Sequence, residues 1–259
     1  MIYRGVVITG TDTGVGKTVV GCALVSLFRE RGLTVGVLKP VETGCAGEGL
    51  APRDALMLCR AAGIELEKPG ALTGGAVRLE DVVPWRFGPA LAPEEAARQS
   101  GVEISVDRIY QALDRWTERA DVVVVETAGG LMAPLNARFT FADLLQGFEL
   151  PVMVVAENRL GVINQVLLTL SALRARELTT VAVILTQLQP EADLSAGSNA
   201  ELIRGHGKVK VWEVPYGGSG PEEARVLAAT AALRPHFEEL QKDLEAAWRK
   251  AVFRYLNRK

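Results

Sequence analysis

The sequence predicts a single α/β domain with a mostly parallel, twisted sheet and helices on both faces. Short runs of β-branched and other apolar residues alternate with longer segments whose apolar residues recur at three- and four-residue spacing. Strands that are apolar on both faces are typical of parallel sheets covered on both sides. No internal repeat or Ser/Pro/Gly-rich linker divides the 259 residues, so one domain of this class accounts for the chain.

The predicted elements follow one another along the chain. Strands are predicted near residues 5–9, 34–39, 122–126, 151–156, 181–186 and 209–214. Helices are predicted at Lys17–Arg31, Arg53–Ala62, Val106–Arg119, Asn164–Glu177 and beyond Pro221. Ligands of such folds bind beyond the carboxyl ends of the strands, so the residues that follow the strands are the site candidates.

The segment after the first strand predicts what the fold binds. Residues Gly10–Thr18 read G-T-D-T-G-V-G-K-T, between an apolar strand and an amphipathic helix. A loop of this kind offers backbone N–H groups to an anion, and the helix points its positive dipole end at the same place. The standard pattern has glycine where this chain has Thr11, so the match is a variant. It predicts a P-loop NTPase-like fold and a nucleoside triphosphate ligand, held by Gly14, Val15, Gly16, Lys17, Thr18 and Val19.

Three charged residues are expected to converge on this loop. Lys39 ends the second strand, Glu126 follows a run of four valines, and Asp54 opens a helix. The Lys39 ammonium would stabilise charge that develops in phosphoryl transfer. Mg²⁺ prefers one or two carboxylates with waters and phosphate oxygens, so Thr18, Asp54 and Glu126 form its predicted ligand set. A solvated strand end for Lys39 and a plain helix-start acid for Asp54 are the alternatives.

Composition argues against several other classes of protein. A net charge of −2 and a pI near 5.9 give no reason to expect a nucleic-acid partner. The apolar runs are far shorter than the ~20 residues of a membrane span, and the first residues do not resemble a signal peptide, so we expect a cytoplasmic protein. The three cysteines lack C-x-x-C spacing, which argues against a disulfide framework or a zinc site.

Several short motifs, taken in order, resemble the dethiobiotin synthetase family of biotin biosynthesis. After the loop come K-P-V-E-T-G at Lys39–Gly44, R-D-A at Arg53–Ala55 and E-T-A-G-G at Glu126–Gly130. Farther on come A-P-L-N and F-T-F-A-D within 133–143, L-G-V-I-N at Leu160–Asn164 and E-V-P at 213–215. The resemblance spans roughly residues 5–216, and only the combination of motifs is specific.

The resemblance implies a ligase that uses Mg²⁺ and ATP to close 7,8-diaminononanoate with CO₂ into a cyclic urea. Lys17 would hold the β- and γ-phosphates, and Lys39 would bridge the carbamate and the γ-phosphate. Lys39, Lys17 and Thr13 are the implied catalytic residues. Gly129 would face the nucleotide as well as the substrate. The residues implied to contact the diamine or its carbamate are Thr13, Thr43, Gly129 and Gly130.

The resemblance also implies a homodimer. In the family, the carboxylate tail of the substrate reaches a helix N-terminus of the other subunit. The segment that would supply this helix start contains Leu160, Gly161 and Asn164.

This chain departs from the family's usual residues at three places. Thr127 stands where the family commonly has glycine, and its side chain is expected to crowd the site. Arg159 replaces a lysine, which keeps the charge but changes the donor geometry. Thr186 and Gln187 stand where the family usually has an asparagine that contacts the nucleotide base. Another nucleoside triphosphate could therefore take the place of ATP. The residues expected near the base are Thr186, Gln187, Pro215 and Tyr216.

The chain past residue 220 is predicted to be a helical extension. Residues 1–220 would form the synthetase-like domain and 221–259 a helix packed on it, since Phe237, Leu240, Leu244 and Trp248 recur at helical spacing. A partner-binding helix is the alternative.

Two alternative functions use the same loop. A cobyrinic-acid-type synthase usually carries a glutaminase domain, for which we expect no room in this chain. A switch ATPase of the MinD/ParA type has a signature lysine where this chain has Asp12. Both alternatives are therefore ranked below the biotin-pathway ligase.

Overall fold

The computed structural model describes residues 3–47, 49–67 and 77–257. Its centre is a six-stranded sheet in which all neighbouring strands are parallel. A second parallel sheet is made of β3 (Val41–Thr43) and β4 (Trp85–Phe87). The six central strands, in spatial order, are β2 (Val35–Leu38), β5 (Val122–Gly130), β1 (Gly5–Gly10), β6 (Val152–Glu157), β7 (Thr180–Thr186) and β8 (Val211–Val214).

The central strand β1 explains where a ligand can bind. All of its residues are buried, because β5 lies on one side of it, β6 on the other and helices cover both faces. From β1 the chain crosses through the helix Lys17–Glu30 to β2, on the β5 side of the sheet, whereas from β5 it crosses through the helix Phe141–Phe148 to β6, on the other side of β1. The connections from these neighbouring strands therefore run in opposite directions. This arrangement opens a crevice at the carboxyl end of β1, and it confirms the predicted α/β fold class.

The helices surround the sheet. Four predicted helices end within two residues of the expected positions, a difference that is ordinary for helix termini. Among the described residues, no helix is long and apolar enough to cross a membrane. The helices are α1 (Lys17–Glu30), α2 (Arg53–Ala62), α3 (Leu79–Val82), α4 (Pro93–Gln99), α5 (Val106–Thr117), α6 (Phe141–Phe148), α7 (Val162–Ala175), α8 (Ala196–Gly207), α9 (Glu222–Leu233) and α10 (Phe237–Asn257).

Sequence patterns missed α3, α4, α6 and α8. The first two are too short to display a helical period. Helix α8 contains three glycines, which lower its helix propensity. Helix α6 had a readable signal, since Thr140 and Asp143 form a capping box in which the Asp143 carboxylate accepts from the Thr140 amide at 2.8 Å.

Beyond residue 220 the chain forms two helices joined by a 3₁₀ turn, rather than one. The Trp248 indole in α10 donates to the carbonyl of Gly5 at 2.8 Å, and the Phe237 ring meets Phe28 of α1 edge-to-face at 5.1 Å. Helix α10 therefore packs on α1 and on the start of β1. The division at residue 220 stays a prediction, and residues 258–259 of the proposed extension lie outside the described residues.

Candidate active site

The phosphate-binding loop leaves β1 and ends where α1 begins. Gly14 (φ 76°) and Gly16 (φ 92°) adopt the left-handed conformation that side chains disfavour. The Lys17 ammonium turns back over the loop and donates to the carbonyl of Asp12 at 2.7 Å. The first amides of a helix have no partner within it, so those of α1 face the loop ready for an anion.

Gly10 explains why the loop departs from the standard pattern. A Cβ at this position would lie 2.9 Å from the carbonyl oxygen of Asp12 and 3.0 Å from the Lys17 side chain. The next residue, Thr11, instead donates its amide to the carbonyl of Val155 on β6 at 3.0 Å. The close approach that requires glycine therefore occurs one residue earlier than in the standard motif.

Lys39 lies at the centre of a charged cluster. Its Nζ is 2.5 Å from Glu126 Oε1 and 2.7 Å from Asp54 Oδ2. The Thr18 hydroxyl donates to the same Glu126 oxygen at 2.9 Å. These four residues come from the end of β2, the middle of β5 and the first turns of α2 and α1. Glu126 does not end its strand as expected, because β5 continues to Gly130.

Burial and opposite charges set the protonation of this cluster. Burial alone would lower the pKa of Lys39, but the Glu126 and Asp54 carboxylates raise it above its ordinary value. Burial likewise raises the pKa of Asp54, and Lys39 reverses this, so that the net pKa lies below the ordinary value. Burial and repulsion from Lys39 lower the pKa of Lys17 to about 8. The pKa of Lys39 thus keeps its ammonium charged, whereas the pKa of Lys17 lies below that of an ordinary lysine.

The donors of the cluster fit a small, hard cation. Carboxylate oxygens of Asp54 and Glu126 and the Thr18 hydroxyl are the ligand types that Mg²⁺ prefers. The second carboxylate oxygen of Glu126 is buried near Gly21 of α1 and has no hydrogen-bond partner among the described residues. The charge of Glu126 is balanced by Lys39 through the other oxygen. Two carboxylates and a hydroxyl leave coordination positions for water and phosphate oxygens, as is typical of Mg²⁺ at triphosphates.

The loop and the charged cluster share one cavity of about 780 Å³, a size common for small-molecule sites. One end is highly charged, and another part of its wall is apolar where Ala90, Leu91, Ala92 and Pro93 approach. Most of the predicted site residues meet in this space. Those that line it are Thr13, Gly14, Gly16, Lys17, Thr18, Val19, Lys39, Thr43, Asp54, Glu126, Gly129 and Gly130.

Thr186 lies beneath the loop rather than on the cavity wall. Its buried hydroxyl donates to the carbonyl of Val15 at 2.8 Å, and a Cβ at Gly16 would lie 3.2 Å from its methyl group. Thr186 therefore supports the loop from β7. Its predicted contact with a nucleotide base stays a prediction.

The other residues expected near the base also lie outside the cavity wall. The Gln187 amide group donates to the backbone carbonyls of Gln189 and Pro190, which closes its own turn. Pro215 and Tyr216 follow β8, where Pro215 is exposed and Tyr216 half-buried. Base contacts by these three residues stay a prediction.

The segment implied to bind the substrate tail is at the start of α7, away from the cavity. Gly161 (φ 92°) precedes the helix, and Leu160 and Asn164 are exposed. Arg159 nearby pairs with Glu157 at 3.0 Å. Within one protomer this helix start does not meet the cavity, so its predicted role requires a second copy of the chain.

The expectation that Thr127 crowds the site is wrong. Side chains alternate between the two faces of a strand, and Glu126 on β5 points to the cavity. Thr127 is fully buried on the other face, where its hydroxyl donates to Thr9 of β1 at 3.0 Å. Its side chain therefore packs inside the sheet and not against a ligand.

Sequence reasoning missed several residues of the cavity wall. Arg53 on α2 pairs with Glu222 on α9, and both line the cavity together with Arg225. The Nε atom of Arg225 is buried and has no hydrogen-bond partner among the described residues. Helix α9 lies 169 residues beyond Arg53, so no local pattern could have indicated this approach. Glu42, which was part of a quoted motif without an assigned role, also lines the cavity.

The fold and the site together define a P-loop protein that binds a nucleoside triphosphate. A family model described as an AAA domain matches residues 4–216. The ATP-dependent dethiobiotin synthetase BioD of Anaeromyxobacter dehalogenans strain 2CP-C is 40% identical over 236 residues, which are 90% of this chain and 100% of that protein. The same-named protein of Nitrosospira multiformis is 38% identical over 73% of this chain and 77% of its own length. The chain belongs to the dethiobiotin synthetase family.

A solved structure gives a more distant match. The signal recognition particle receptor FtsY of Elizabethkingia anophelis is 17% identical, with a TM-score of 0.46, and the match covers 89% of this chain and 66% of that one. This likeness is too distant to bear on function. The curated relatives favour the dethiobiotin synthetase assignment over a cobyrinic-acid-type synthase or a switch ATPase.

Proposed function

We propose that this protein is an ATP-dependent ligase that converts 7,8-diaminononanoate and CO₂ to dethiobiotin. The observation that supports this most directly is the position of Lys39. Its buried ammonium lies between Asp54 and Glu126 and opens on the cavity that also holds the phosphate-binding loop. The curated relatives, named as ATP-dependent dethiobiotin synthetases, agree with this proposal.

The proposed reaction has two covalent steps after one amine has taken up CO₂ as a carbamate. A carbamate oxygen attacks the γ-phosphorus of ATP, the bond to the bridging oxygen breaks and ADP leaves. The second amine then attacks the carbonyl carbon of the mixed anhydride and loses a proton, and phosphate leaves as the ureido ring closes. The first step needs the carbamate and ATP held together in line, the second needs the free amine held against the carbonyl carbon, and both need negative charge neutralised.

The residues of the charged cluster supply this neutralisation. The Lys17 ammonium would hold the β- and γ-phosphates, and Lys39 would stabilise charge on the transferred phosphoryl group and the carbamate. When bound, Mg²⁺ would act as a Lewis acid that neutralises phosphate charge and orients the triphosphate. The residues that would hold it are Thr18, Asp54 and Glu126.

The remaining wall of the cavity suits the diamine. Hydroxyl groups of Thr13 and Thr43 would accept or donate hydrogen bonds to the amines or the carbamate. Gly129 (φ 67°) and Gly130 allow the backbone to approach the ligand closely. The apolar stretch 90–93 would contact the aliphatic chain.

We further propose that the enzyme acts as a homodimer. The carboxylate of the substrate would be bound at the start of α7 of the second subunit, through Leu160, Gly161 and Asn164. Leu160 and Leu168 of this region are 75% and 63% exposed, which would suit an interface. The proposed nucleotide is ATP, because the relatives are named as ATP-dependent enzymes. The backbone groups of Pro215 and Tyr216 would contact its base.

The test is product formation by the purified protein. Incubation with 7,8-diaminononanoate, bicarbonate and Mg²⁺ is followed by mass spectrometry, with ATP, CTP and GTP in parallel. Dethiobiotin with ATP, together with stoichiometric phosphate, is the expected result. Absence of product with every nucleotide, in a protein that binds nucleotide, would overturn the proposed reaction. Light scattering at assay concentration tests the dimer.

A further inference from the structure

Helix α2 begins without a capping side chain of its own. Pro52 occupies the position before the helix, where a serine, threonine or aspartate would accept from the first amides. Glu42 on β3 takes over this function. Its Oε1 accepts from the Asp54 amide at 2.9 Å, and its Oε2 accepts from the Ala55 amide at 3.0 Å.

The two hydrogen bonds of Glu42 lie in the interior of the protein and not at its surface. Glu42 is only 5% exposed, and burial raises the pKa of its carboxyl. A buried carboxylate is tolerated where both oxygens accept hydrogen bonds and where the positive end of a helix faces it. Both conditions hold here, and the Lys39 charge lies nearby.

Of the two amides that Glu42 binds, the one that matters for the site is that of Asp54, because the Asp54 carboxylate is 2.7 Å from Lys39. The position of the Asp54 backbone determines where its short side chain can reach. Glu42 holds that backbone from a separate strand, 12 residues earlier in the chain. The described part of the stretch between them contains Gly44 and Gly47 with positive φ and one isolated bridge between Ala46 and Ala51.

We propose that Glu42 is a positioning residue for the metal and phosphoryl-transfer site. It fixes the first turn of α2, and thereby sets the Asp54 carboxylate against Lys39 and against the Mg²⁺ that the proposed function requires. A carboxylate is needed because two acceptor oxygens span two adjacent amides. Glutamine offers one acceptor, and aspartate is one methylene shorter, so neither replaces glutamate.

The test compares nucleotide binding with and without metal, since Glu42 would act through Asp54. The variants are Glu42→Gln, Glu42→Ala and Asp54→Asn, each as the full chain. A non-hydrolysable ATP analogue is titrated by calorimetry in Mg²⁺ and in EDTA. The readout is the ratio of the dissociation constant in EDTA to the dissociation constant in Mg²⁺. Loss of residues that orient metal ligands typically costs about 10- to 100-fold in metal affinity, so we expect the ratio to fall by that order in Glu42→Ala and by less in Glu42→Gln.

A matched control separates positioning from stability. Asp143→Asn weakens the capping box of another helix, α6, by removing the carboxylate that accepts from the Thr140 amide and pairs with Arg176, and it is expected to lower the melting temperature without changing the ratio. In an Asp54→Asn background, Glu42→Gln should change the ratio no further. An unchanged ratio in both Glu42 variants, or independent effects of Glu42 and Asp54, would overturn the proposal. If Glu42→Ala fails to fold, Glu42→Gln decides the outcome.

This readout is independent of product formation. A protein that makes no dethiobiotin but shows the expected loss in the ratio would contradict the proposed reaction and retain the role of Glu42. If the wild-type protein binds the nucleotide analogue with the same dissociation constant in Mg²⁺ and in EDTA, the proposed role of Glu42 is overturned, even if product forms.

Discussion

Lys39 and Glu126 form a buried ion pair, with Nζ 2.5 Å from Oε1 and side-chain exposures of 3% and 0%. Charges buried this deeply are stable only as partners, because neither can be solvated by water. The residue proposed for catalysis is therefore also needed to neutralise a carboxylate inside the protein. Changes at this pair should alter activity and stability together.

Lys39→Ala should abolish most product formation while largely sparing nucleotide binding. Removal of a group that stabilises transition-state charge costs about 10²–10³-fold in rate. Glu126 loses its partner, so the free energy of unfolding should also fall, by about 3–5 kcal/mol. Single-turnover product formation, calorimetric titration with ATP and urea unfolding measure the three effects.

A second variant tests the effect on stability alone. Lys39→Met combined with Glu126→Gln removes both charges of the pair, so most of the lost stability should return, whereas activity stays absent because Glu126 is itself a proposed Mg²⁺ ligand. An active Lys39→Ala enzyme would remove the catalytic assignment of Lys39.

Lys17→Ala should weaken nucleotide binding itself. Charge-assisted hydrogen bonds contribute about 1.5–3 kcal/mol each, which corresponds to about 10- to 100-fold in the dissociation constant of ATP. Calorimetric titration of ATP into the variant measures this, with Lys39→Ala as the comparison that retains affinity. Equal affinities for the two variants would contradict the division of roles between the two lysines.

ATP binding should be linked to proton uptake at Lys17. Its pKa in the folded protein is about 8, below the ordinary 10.5. The unfolded chain thus binds more protons between these two values, and this group adds to the free energy of unfolding as pH rises through that window. Phosphates favour the charged ammonium, so nucleotide affinity should fall as pH rises above about 8.

Calorimetry in two buffers of different ionisation enthalpy measures this uptake directly. Lys17→Arg is the control, because a guanidinium stays charged throughout this range. Proton release on binding, or the same uptake in Lys17→Arg, would show that another group titrates.

Thr127→Gly should lower stability and leave turnover unchanged. The variant loses the buried hydrogen bond to Thr9 and adds backbone freedom to β5, for a combined loss of about 1–3 kcal/mol. Thermal unfolding and steady-state kinetics with the diamine measure the two effects. A rise in kcat on restoring glycine would mean that Thr127 does crowd the ligand.

Arg225→Ala should weaken nucleotide binding by about tenfold, which corresponds to the loss of one charge-assisted hydrogen bond. The hypothesis rests on the position of Arg225 in the wall of the cavity, with a buried Nε that lacks a partner among the described residues. Acceptor oxygens of a nucleotide would satisfy it. Arg98→Ala, an exposed arginine paired with Glu95, is the control. Equal ATP affinities for the two variants would refute the role of Arg225.

The sequence alone was enough to predict the sheet, the phosphate-binding loop and the meeting of Lys39, Asp54 and Glu126. For Lys39 the reason is geometric, since residues that follow neighbouring parallel strands share one edge of the sheet. That argument does not cover Glu126, which lies within β5, or Asp54, which opens α2. The direction of Thr127 could also have been predicted, because neighbours on a strand face opposite sides and Glu126 was already assigned to the site.

Other parts of the site could not be read from local patterns. Glu42 acts on amides of a helix that begins 11 residues later, and Arg225 reaches the cavity from the far end of the chain. Thr186 supports the loop through a hydroxyl whose partner is 171 residues away. Such roles depend on tertiary approach, for which a sequence period carries no signal.

The bond between Trp248 and the carbonyl of Gly5 ties the last described helix to the first strand. During translation, β1 and its loop leave the ribosome long before α10 is available to cover them. We therefore expect nascent chains that lack residues 237–257 to expose the Phe28 face of α1 and the start of β1. Such chains would be substrates for chaperones and proteases. Protease sensitivity of released chains that end at residue 236 or include residues 237–257 would reveal this dependence, and equal sensitivity would exclude it.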